Sequence, residues 1–324
     1  LMRLPVLKHL AWSALIAGQL GCSAVALAER TDPNDWLNRM AAAVQQTSYE
    51  GTVIRIRHGQ AEALKVVHTI SDGVVHEKVV SQEGDGLEII RKGNEVHCIL
   101  PDSRSVLVEE WDDRSTLFST LPSSEVRFGS EYDVALVRRE RVAGRQAVLV
   151  AIRPHDEYRY GHRIWLDTET AFPLQTQLIN VDGTPIEQVK FADIQLSRSI
   201  DPAMLAPSVD ISSFRWVDHP PRHVGHAIDT PWRAAGLPRG FRPVATHGET
   251  MPGGSDLTTH IVYSDGLASV SVFIAPAGDS KEEGALQVGG ASSYSTVVEG
   301  FRVTAVGDVP AVTLEQIATT MMPR

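Results

Sequence analysis

Residues 158–179, YRYGHRIWLDTETAFPLQTQLI, carry the pattern that decides the fold class of this chain. Two sets of side chains alternate there with a period of two: Tyr160, His162, Ile164 and Leu166 against Gly161, Arg163, Trp165 and Asp167. The sequence Asp-Thr-Glu-Thr at 167–170 favours a turn, and Pro173 opens a second run that ends at Ile179. Alternation interrupted by turn residues is typical of a β-hairpin. The block shows no catalytic pattern, and we interpret it as part of a sheet that serves binding.

The same period of two continues through most of the first 200 residues. It recurs in GTVIRIRHG (51–59), ALKVVHTI (63–70), VVHEKVV (74–80), LEIIRKG (87–93), EVHCIL (95–100), RSVLVEE (104–110), DVALVRRERV (133–142), AVLVAIRP (147–154) and TPIEQVKFADIQL (184–196). Turn residues rich in Gly, Asp and Asn separate these runs. An acidic, Pro-containing segment before Trp36 starts an amphipathic helix at about 34–47.

We therefore predict an α+β fold that is mostly β, with the strands in chain order. About ten or eleven consecutive strands joined by short turns indicate an antiparallel meander. So many strands twist and curl, which predicts a large curved sheet, or half-barrel, with an N-terminal helix.

Residues 1–28 have the layout of a secretory signal peptide. Two basic residues precede an apolar segment at 10–20, and Ala-Leu-Ala at 26–28 is a small-x-small cleavage site. We therefore expect an exported protein whose mature chain begins at Glu29. An uncleaved anchor helix and a lipoprotein modified at Cys22 are the alternatives.

The sequence changes character after residue 200, where an N-terminal domain of residues 29–200 would end. Five prolines in about 30 residues with little periodicity predict an interdomain linker at 201–230. Residues 231–324 then predict a smaller α+β C-terminal domain. Its expected elements are hairpins at 260–274 and 294–309 and a closing helix that starts at Pro310.

Charge argues against a nucleic-acid partner. The chain has 30 Lys and Arg against 40 Asp and Glu, a formal net charge of −10. Phosphate backbones and anionic membrane surfaces repel such a chain unless basic residues are gathered locally. Arg138, Arg139 and Arg141 form such a group. They are either a solvated strand face or docking charges for an acidic peptide or an anionic head group.

The chain lacks the common catalytic and cofactor motifs. G-x-S-x-G, H-E-x-x-H, C-x-x-C, the Walker loop and G-x-G-x-x-G are all missing. We expect a protein that is not an enzyme and has no cofactor, with Cys98 as an inert strand thiol. An exported hydrolase that uses His155 beside Asp156 is the alternative. We interpret three linker histidines as solvated side chains and not as a metal site, because no carboxylate or Cys completes the set: His219, His223 and His226.

Five stretches together resemble a known family. They are DWLNRM (35–40), YEGTVIRIRHG (49–59), RVAGRQAVLVAIRPHDEYRYGHRIWLDTETAFPL (141–174), YSDGLASVSVFI (263–274) and FRVTAVGDVPAVTLEQIA (301–318). In this order and spacing they resemble the periplasmic sigma-E regulators of the RseB/MucB family. The resemblance covers nearly the whole mature chain and both domains.

The resemblance implies a periplasmic protein whose larger domain is similar to lipoprotein carriers. Its smaller domain would help to hold the periplasmic tail of a transmembrane anti-sigma factor. Holding that tail would shield the anti-sigma factor from proteolysis and keep the envelope stress response off. A bound acyl chain or lipopolysaccharide would loosen the complex. A simple lipid or lipoprotein carrier is the alternative, although a carrier has no need of the second domain. Assembly into a homo-oligomer is left as an open alternative to a single chain.

Two sets of residues are candidates for these contacts. Apolar strand residues that would line a lipid site, or else form a dry core against the first helix, are Ile54, Ile56, Leu64, Val66, Ile89, Val106, Val108 and Trp165. Aromatic residues that would contact the partner, or else pack in the C-terminal core, are Trp232, Phe241, Tyr263 and Phe273. Arg138, Arg139 and Arg141 join the second set as docking charges.

Overall fold

The computed structural model describes most of the chain after the predicted signal peptide. The described residues are 32–57, 59–110, 117–118, 121, 129–196, 199–218, 226–227, 229–250, 257–278, 283–288 and 291–323. The predicted signal peptide at 1–28 and the side chains of the three linker histidines lie outside them. Among the described residues, no helix combines the length and the apolar character that a membrane span requires.

The predicted N-terminal helix is confirmed as α1, Pro33–Gln46. Asp32 caps its start, because one carboxylate oxygen accepts a hydrogen bond from the backbone N–H of Asn34 at 2.9 Å. The buried side chains of the helix recur at helical spacing and include Trp36, Leu37, Met40, Ala41 and Ala43. This stripe places the helix against the sheet.

Eleven strands follow α1 in the described part of the chain. They are β1 (Tyr49–Arg57), β2 (Gln60–Ser71), β3 (Val74–Ser81), β4 (Glu88–Lys92), β5 (Glu95–Leu100), β6 (Ser105–Glu110), β7 (Tyr132–Val142), β8 (Arg145–Pro154), β9 (Gly161–Asp167), β10 (Pro173–Ile179) and β11 (Pro185–Leu196). They form one open antiparallel sheet in the order β6-β5-β4-β3-β2-β1-β11-β10-β9-β8-β7. The predicted antiparallel sheet is therefore confirmed, but it is not one meander in chain order. Pairing of β1 with β11 joins two meanders, β1–β6 and β7–β11, so the consecutive strands β6 and β7 are not neighbours.

The hairpin formed by β9 and β10 is closed by the side chain of Asp167. Its Oδ1 accepts hydrogen bonds from the backbone N–H of Glu169 and Thr170, and its Oδ2 accepts one from Nε of Arg145 at 2.6 Å. Burial raises the pKa of the Asp167 carboxyl, but the hydrogen bonds from Arg145 and Thr170 outweigh burial and leave this pKa lowered. The turn residues predicted from sequence thus have a defined physical role.

The segment predicted as a linker contains regular structure in its described part. A 3-10 helix, Pro202–Leu205, lies near β3, and β12 (Arg215–Asp218) pairs in parallel with β6. The sheet therefore gains a twelfth strand, because the edge of β6 offers unpaired backbone groups. Nζ of Lys78 fixes the segment by donating hydrogen bonds to the carbonyl of Ala206 at 2.6 Å and to Oγ of Ser208 at 2.7 Å.

The C-terminal part forms a smaller sheet with one helix in its described residues. Its elements are β13 (His226–Ala227), β14 (Trp232–Ala234), β15 (Arg242–Thr250), β16 (Leu257–Ser264), β17 (Ser269–Pro276), β18 (Gly284–Val288), β19 (Ala291–Val298), β20 (Phe301–Gly307), α2 (Ala311–Thr319) and β21 (Met321–Pro323). Seven strands follow the order β13-β15-β16-β17-β20-β19-β18, and β14 pairs separately with β21. Both predicted hairpins, β16–β17 and β19–β20, are confirmed.

Buried apolar side chains separate into clusters that follow this division. In the N-terminal part, one cluster combines residues of β1–β3 with aromatic residues such as Phe172 and Phe191, and another packs α1 against β8 and β9. The C-terminal cluster joins β16, β17 and β20 to α2. The mostly β architecture with an N-terminal helix and a smaller α+β part is confirmed.

Candidate functional site

A buried charge with several hydrogen bonds lies between the large sheet and the C-terminal part of the chain. Arg159, in the loop between β8 and β9, is 0% exposed. Its Nη1 donates to Oδ2 of Asp265 at 2.6 Å and its Nη2 donates to the carbonyl of Arg239 at 2.6 Å. Its Nε donates to Oδ1 of Asp156 at 3.1 Å. One guanidinium therefore connects its own loop to two C-terminal loops.

Aromatic rings surround this ion pair. The guanidinium of Arg159 lies 5.4 Å from the ring centroid of Tyr132 and 5.2 Å from that of Phe241. The hydroxyl of Tyr132 donates to Oδ2 of Asp265 at 2.8 Å. Burial, followed by the charge of Asp265, raises the pKa of Tyr132. We call these five residues the interdomain joint: Tyr132, Asp156, Arg159, Phe241 and Asp265.

Further contacts surround the joint on both sides. Oγ1 of Thr313 in α2 donates to the carbonyl of Tyr158 at 2.6 Å, and Arg239 forms an ion pair with Glu131 at 3.3 Å. Leu267, in the turn after Asp265, packs against the cluster that contains α1. Polar and apolar contacts together thus fix how the C-terminal domain meets the sheet.

The joint was not predicted from the sequence, although the stretches that build it also carry the family resemblance. Arg159 lies in YRYG, Asp265 lies in YSDG and Thr313 lies in the final stretch of the family resemblance. The two Tyr that flank Arg159 in the sequence are a local signal for a cation–π contact, but the rings that lie near its guanidinium belong to Tyr132 and Phe241. The ion-pair partner of Arg159 is 106 positions away, which no local pattern indicates.

A second buried polar group crosses the N-terminal sheet. Tyr49, His68, Glu77 and Arg91 lie opposite one another on β1 to β4, and none is more than 3% exposed. Nδ1 of His68 lies 2.9 Å from Oε2 of Glu77, and the ring of Tyr49 stacks on His68 with centroids 4.9 Å apart. We call these four residues the polar row.

The polar row is incompletely hydrogen bonded. Within the described part of the chain, Oη of Tyr49, Nε2 of His68 and Nη1 of Arg91 are buried without a hydrogen-bond partner. Burial, followed by the charge of Glu77, raises the pKa of Tyr49. Unsatisfied buried polar atoms cost free energy, so this region of the sheet is less well stabilised than the joint.

The predicted lipid-lining residues divide between two faces of the sheet. Leu64, Val66 and Trp165 are buried in one cluster, with Ile89 packed against it. Strand alternation places the remaining four on the face opposite the polar row: Ile54, Ile56, Val106 and Val108. The structure therefore brings together half of the predicted set. Nε1 of Trp165 has no hydrogen-bond partner among the described residues.

A pocket opens on that opposite face. Its volume is about 410 Å³, and it lies between β2, β3 and the segment around the 3-10 helix. The lining is mixed, with two cations among aliphatic side chains: Lys65, Val67, Lys78, Val80, Gln82, Ala203, Met204, Ala206, Pro207 and Ser208. The predicted lipid set does not include any of these residues.

The predicted partner-binding residues occupy three environments. Trp232, Phe241 and Tyr263 are buried in the C-terminal cluster, and Phe241 also reaches the joint. Phe273 is half-buried on the other face of the C-terminal sheet, stacked on His260 with centroids 4.3 Å apart. All three predicted docking charges are exposed on β7: Arg138, Arg139 and Arg141.

The structure offers little support for chemistry at His155. Its Nε2 lies 3.0 Å from Asp133 on an exposed surface, and its Nδ1 lies 2.9 Å from the carbonyl of Ser130. The hydrogen bond with Asp133 raises the pKa of His155. Across the described residues, His, Cys, Asp and Glu do not form a group of three that could hold a metal.

The fold and the joint together define a class: a two-domain, mostly β protein whose parts are fixed to each other by buried polar contacts. Family models match both parts, the MucB/RseB N-terminal domain at residues 32–209 and the MucB/RseB C-terminal domain at residues 226–322. The chain belongs to the MucB/RseB family.

Relatives match along nearly their whole length. The sigma factor AlgU regulatory protein MucB of Pseudomonas aeruginosa is 32% identical over 315 residues, which is 95% of this chain and 96% of that protein. The sigma-E factor regulatory protein RseB of Escherichia coli K12 is 26% identical over 313 residues, 94% of this chain and 95% of that protein. A crystal structure of MucB in complex with MucA(peri) has a TM-score of 0.67 and 29% identity, covering 90% of this chain and 99% of that chain.

Proposed function

We propose that this chain is a periplasmic negative regulator of an envelope stress sigma factor. It would act by binding the periplasmic tail of a transmembrane anti-sigma factor and shielding that tail from proteolysis. The observation that carries the proposal is the likeness to MucB, which extends over both domains and which includes a MucB structure in complex with MucA(peri). Sigma factor regulation is what the names of the relatives state.

The interdomain joint supports a role in binding. The buried hydrogen bond between Arg159 and Asp265 would hold the two domains in one arrangement before any partner arrives. A preorganised pair of domains loses less freedom when one partner contacts both, and this increases affinity. We propose that the protein performs no chemical step itself and requires no cofactor, in keeping with a family of regulatory proteins.

We propose further that an acyl chain or lipopolysaccharide opposes the partner. Burying an acyl chain of about 12 carbons gains roughly 10 kcal/mol before ordering costs. Inverting a 1:99 equilibrium requires about 5.5 kcal/mol. Leu64, Val66 and Trp165 lie in a closed cluster, so a lipid that reaches them must open it. Such a lipid would prefer a rearranged state, which is the condition for it to shift the equilibrium.

Binding of the tail is tested with the purified mature chain. The periplasmic tail of the host's anti-sigma factor is titrated by calorimetry, with a tail of scrambled sequence as control. We expect saturable 1:1 binding and slower cleavage of the tail by an added protease. A tail that binds no better than its scrambled version would refute the proposal.

The lipid effect is tested on the assembled complex. Lipopolysaccharide is added to complex formed by wild-type protein and by Trp165→Phe, and both tail release and tryptophan emission are recorded. We expect release, together with an emission change that is present in wild type and reduced in the variant. An identical emission change in both proteins would remove Trp165 from the lipid site.

A further inference from the structure

The two edges of the large sheet differ. Strand β12 pairs with β6 at one edge, whereas β7 ends the sheet at the other and pairs with β8. Within the described residues, no strand pairs with the second side of β7. A strand of this length with one side unpaired presents a row of backbone N–H and C=O groups that can accept a further strand.

The side chains of β7 are distributed unevenly. Val134 and Leu136 pack against the cluster that contains α1, whereas Val137, at a register shift, is 49% exposed. Arg139 and Arg141 are exposed, and the described residues offer neither of them an ion pair. The C-terminal half of β7 is therefore basic and partly apolar in a chain whose net charge is −10.

The start of β7 has the opposite charge and touches the joint. Asp133 is exposed and forms an ion pair with His155, and Tyr132 belongs to the interdomain joint. A strand added beside β7 would lie next to both its acidic start and its basic C-terminal half. Charge complementarity then favours a register with acidic side chains beside Arg139 and Arg141 and none beside Asp133.

We propose that the edge of β7 with which no described strand pairs is a docking site for an extended, acidic segment of the partner, which adds to the sheet as a further strand. The proposal rests on the proposed function and assigns the segment to the anti-sigma factor tail. Backbone hydrogen bonds would supply affinity, and Val137 with the two arginines would supply selectivity. The competing explanation is that the bulge and the charges protect a bare edge from association.

Two charge-reversal double variants distinguish a docking site from a protected edge. The double variant Arg139→Glu/Arg141→Glu is compared with Arg153→Glu/Lys190→Glu, which changes the charge equally at exposed positions of β8 and β11. We expect the first to weaken tail binding by about tenfold or more at low salt and the second by less than about threefold. Equal weakening in both would indicate a general charge effect and would overturn the proposal. Thermal melting checks that both variants are folded.

Amide hydrogen exchange tests the added strand directly. Binding of the tail to the wild-type protein should slow exchange at alternate amides within residues 133–141. Tail binding that leaves these amides unprotected and that the β7 variant does not weaken would overturn the docking site and leave the proposed function intact. A wild-type protein that fails to bind the tail would overturn both.

Discussion

The interdomain joint and the polar row both bury charged side chains, but they differ in how well those side chains are satisfied. In the joint, Arg159 donates through three nitrogens and Asp265 accepts from Arg159, Tyr132 and two backbone N–H groups. In the polar row, three side chains each keep a buried atom without a partner among the described residues. The first network is complete and the second is not.

This difference indicates which part of the molecule is rigid and which can rearrange. A fully satisfied buried network favours one geometry, whereas an incomplete one retains a desolvation cost that a rearrangement can relieve. Tyr49 of the polar row belongs to the same cluster as Leu64, Val66 and Trp165. The proposed lipid contacts therefore lie in the less satisfied region, and the contacts that fix the domains lie in the satisfied one.

The largest expected effect on unfolding free energy comes from replacing one arginine in the interdomain joint and one in the polar row. Arg159→Met leaves Asp265 buried without its cation, so we expect a loss of about 3–5 kcal/mol in unfolding free energy. Arg91→Met removes a side chain with one unpartnered nitrogen, so we expect about 1–2 kcal/mol. Denaturant unfolding followed by circular dichroism measures both. Similar losses would mean that the joint and the polar row are equally well hydrogen bonded.

A second effect concerns the pH dependence of His162, a buried side chain that the charge of Asp265 influences. Burial lowers the pKa of His162 on β9 to about 4 from 6.5, although the charge of Asp265 acts against the shift. The unfolded chain then binds the proton more readily, so stability is present above pH 6.5 and is lost as the pH falls towards 4. The loss attributable to His162 reaches about 3 kcal/mol. Between pH 7 and 4 the melting temperature of wild type should fall further than that of His162→Leu; parallel curves would contradict the assignment.

Replacing one tyrosine by phenylalanine in the joint and one in the polar row gives a matched comparison of two buried hydroxyls. Tyr132→Phe deletes a hydrogen bond to a buried carboxylate, so we expect a loss of about 1.5–3 kcal/mol. The loss should shrink in an Asp265→Asn background, because the acceptor is then uncharged. A double-mutant cycle of the two substitutions by chemical unfolding measures this coupling. Additive effects would show that the hydroxyl and the carboxylate act independently.

The smallest effect is expected at Tyr49, and it has the opposite sign. Its hydroxyl is buried without a partner among the described residues, so Tyr49→Phe removes a desolvation cost and no hydrogen bond. We expect a gain of less than about 1 kcal/mol, seen as a slightly higher melting temperature. A loss as large as that of Tyr132→Phe would show that the Tyr49 hydroxyl is satisfied in solution.

The sequence predicted what depends on neighbours along the chain. The hairpins at 160–179, 260–274 and 294–309 follow from local alternation and from turn residues such as Asp167, and the structure confirms them. The joint depends on Arg159 meeting Asp265, two positions that local patterns cannot connect. The predicted lipid-lining residues lie on both faces of the large sheet. This could not be predicted, because alternation within one strand does not reveal the register between strands.

The β12 strand is a second feature that local sequence patterns could not predict. Its four residues, Arg215–Asp218, have too little length for a periodic pattern, and their pairing arises from the edge that β6 leaves open. Proline-rich composition predicted a segment that connects two domains in the chain. It could not indicate that this segment also extends the sheet.

The central position of β1 has a consequence for biogenesis. Tyr49 pairs with Leu196, so the middle of the sheet closes only after β11 has been delivered. A chain that enters a compartment N-terminus first would leave one side of β1 unpaired until about three-fifths of the chain has arrived. Such non-local pairing slows folding and leaves an aggregation-prone intermediate. Newly delivered chains should therefore depend on holdase chaperones until β11 completes the sheet.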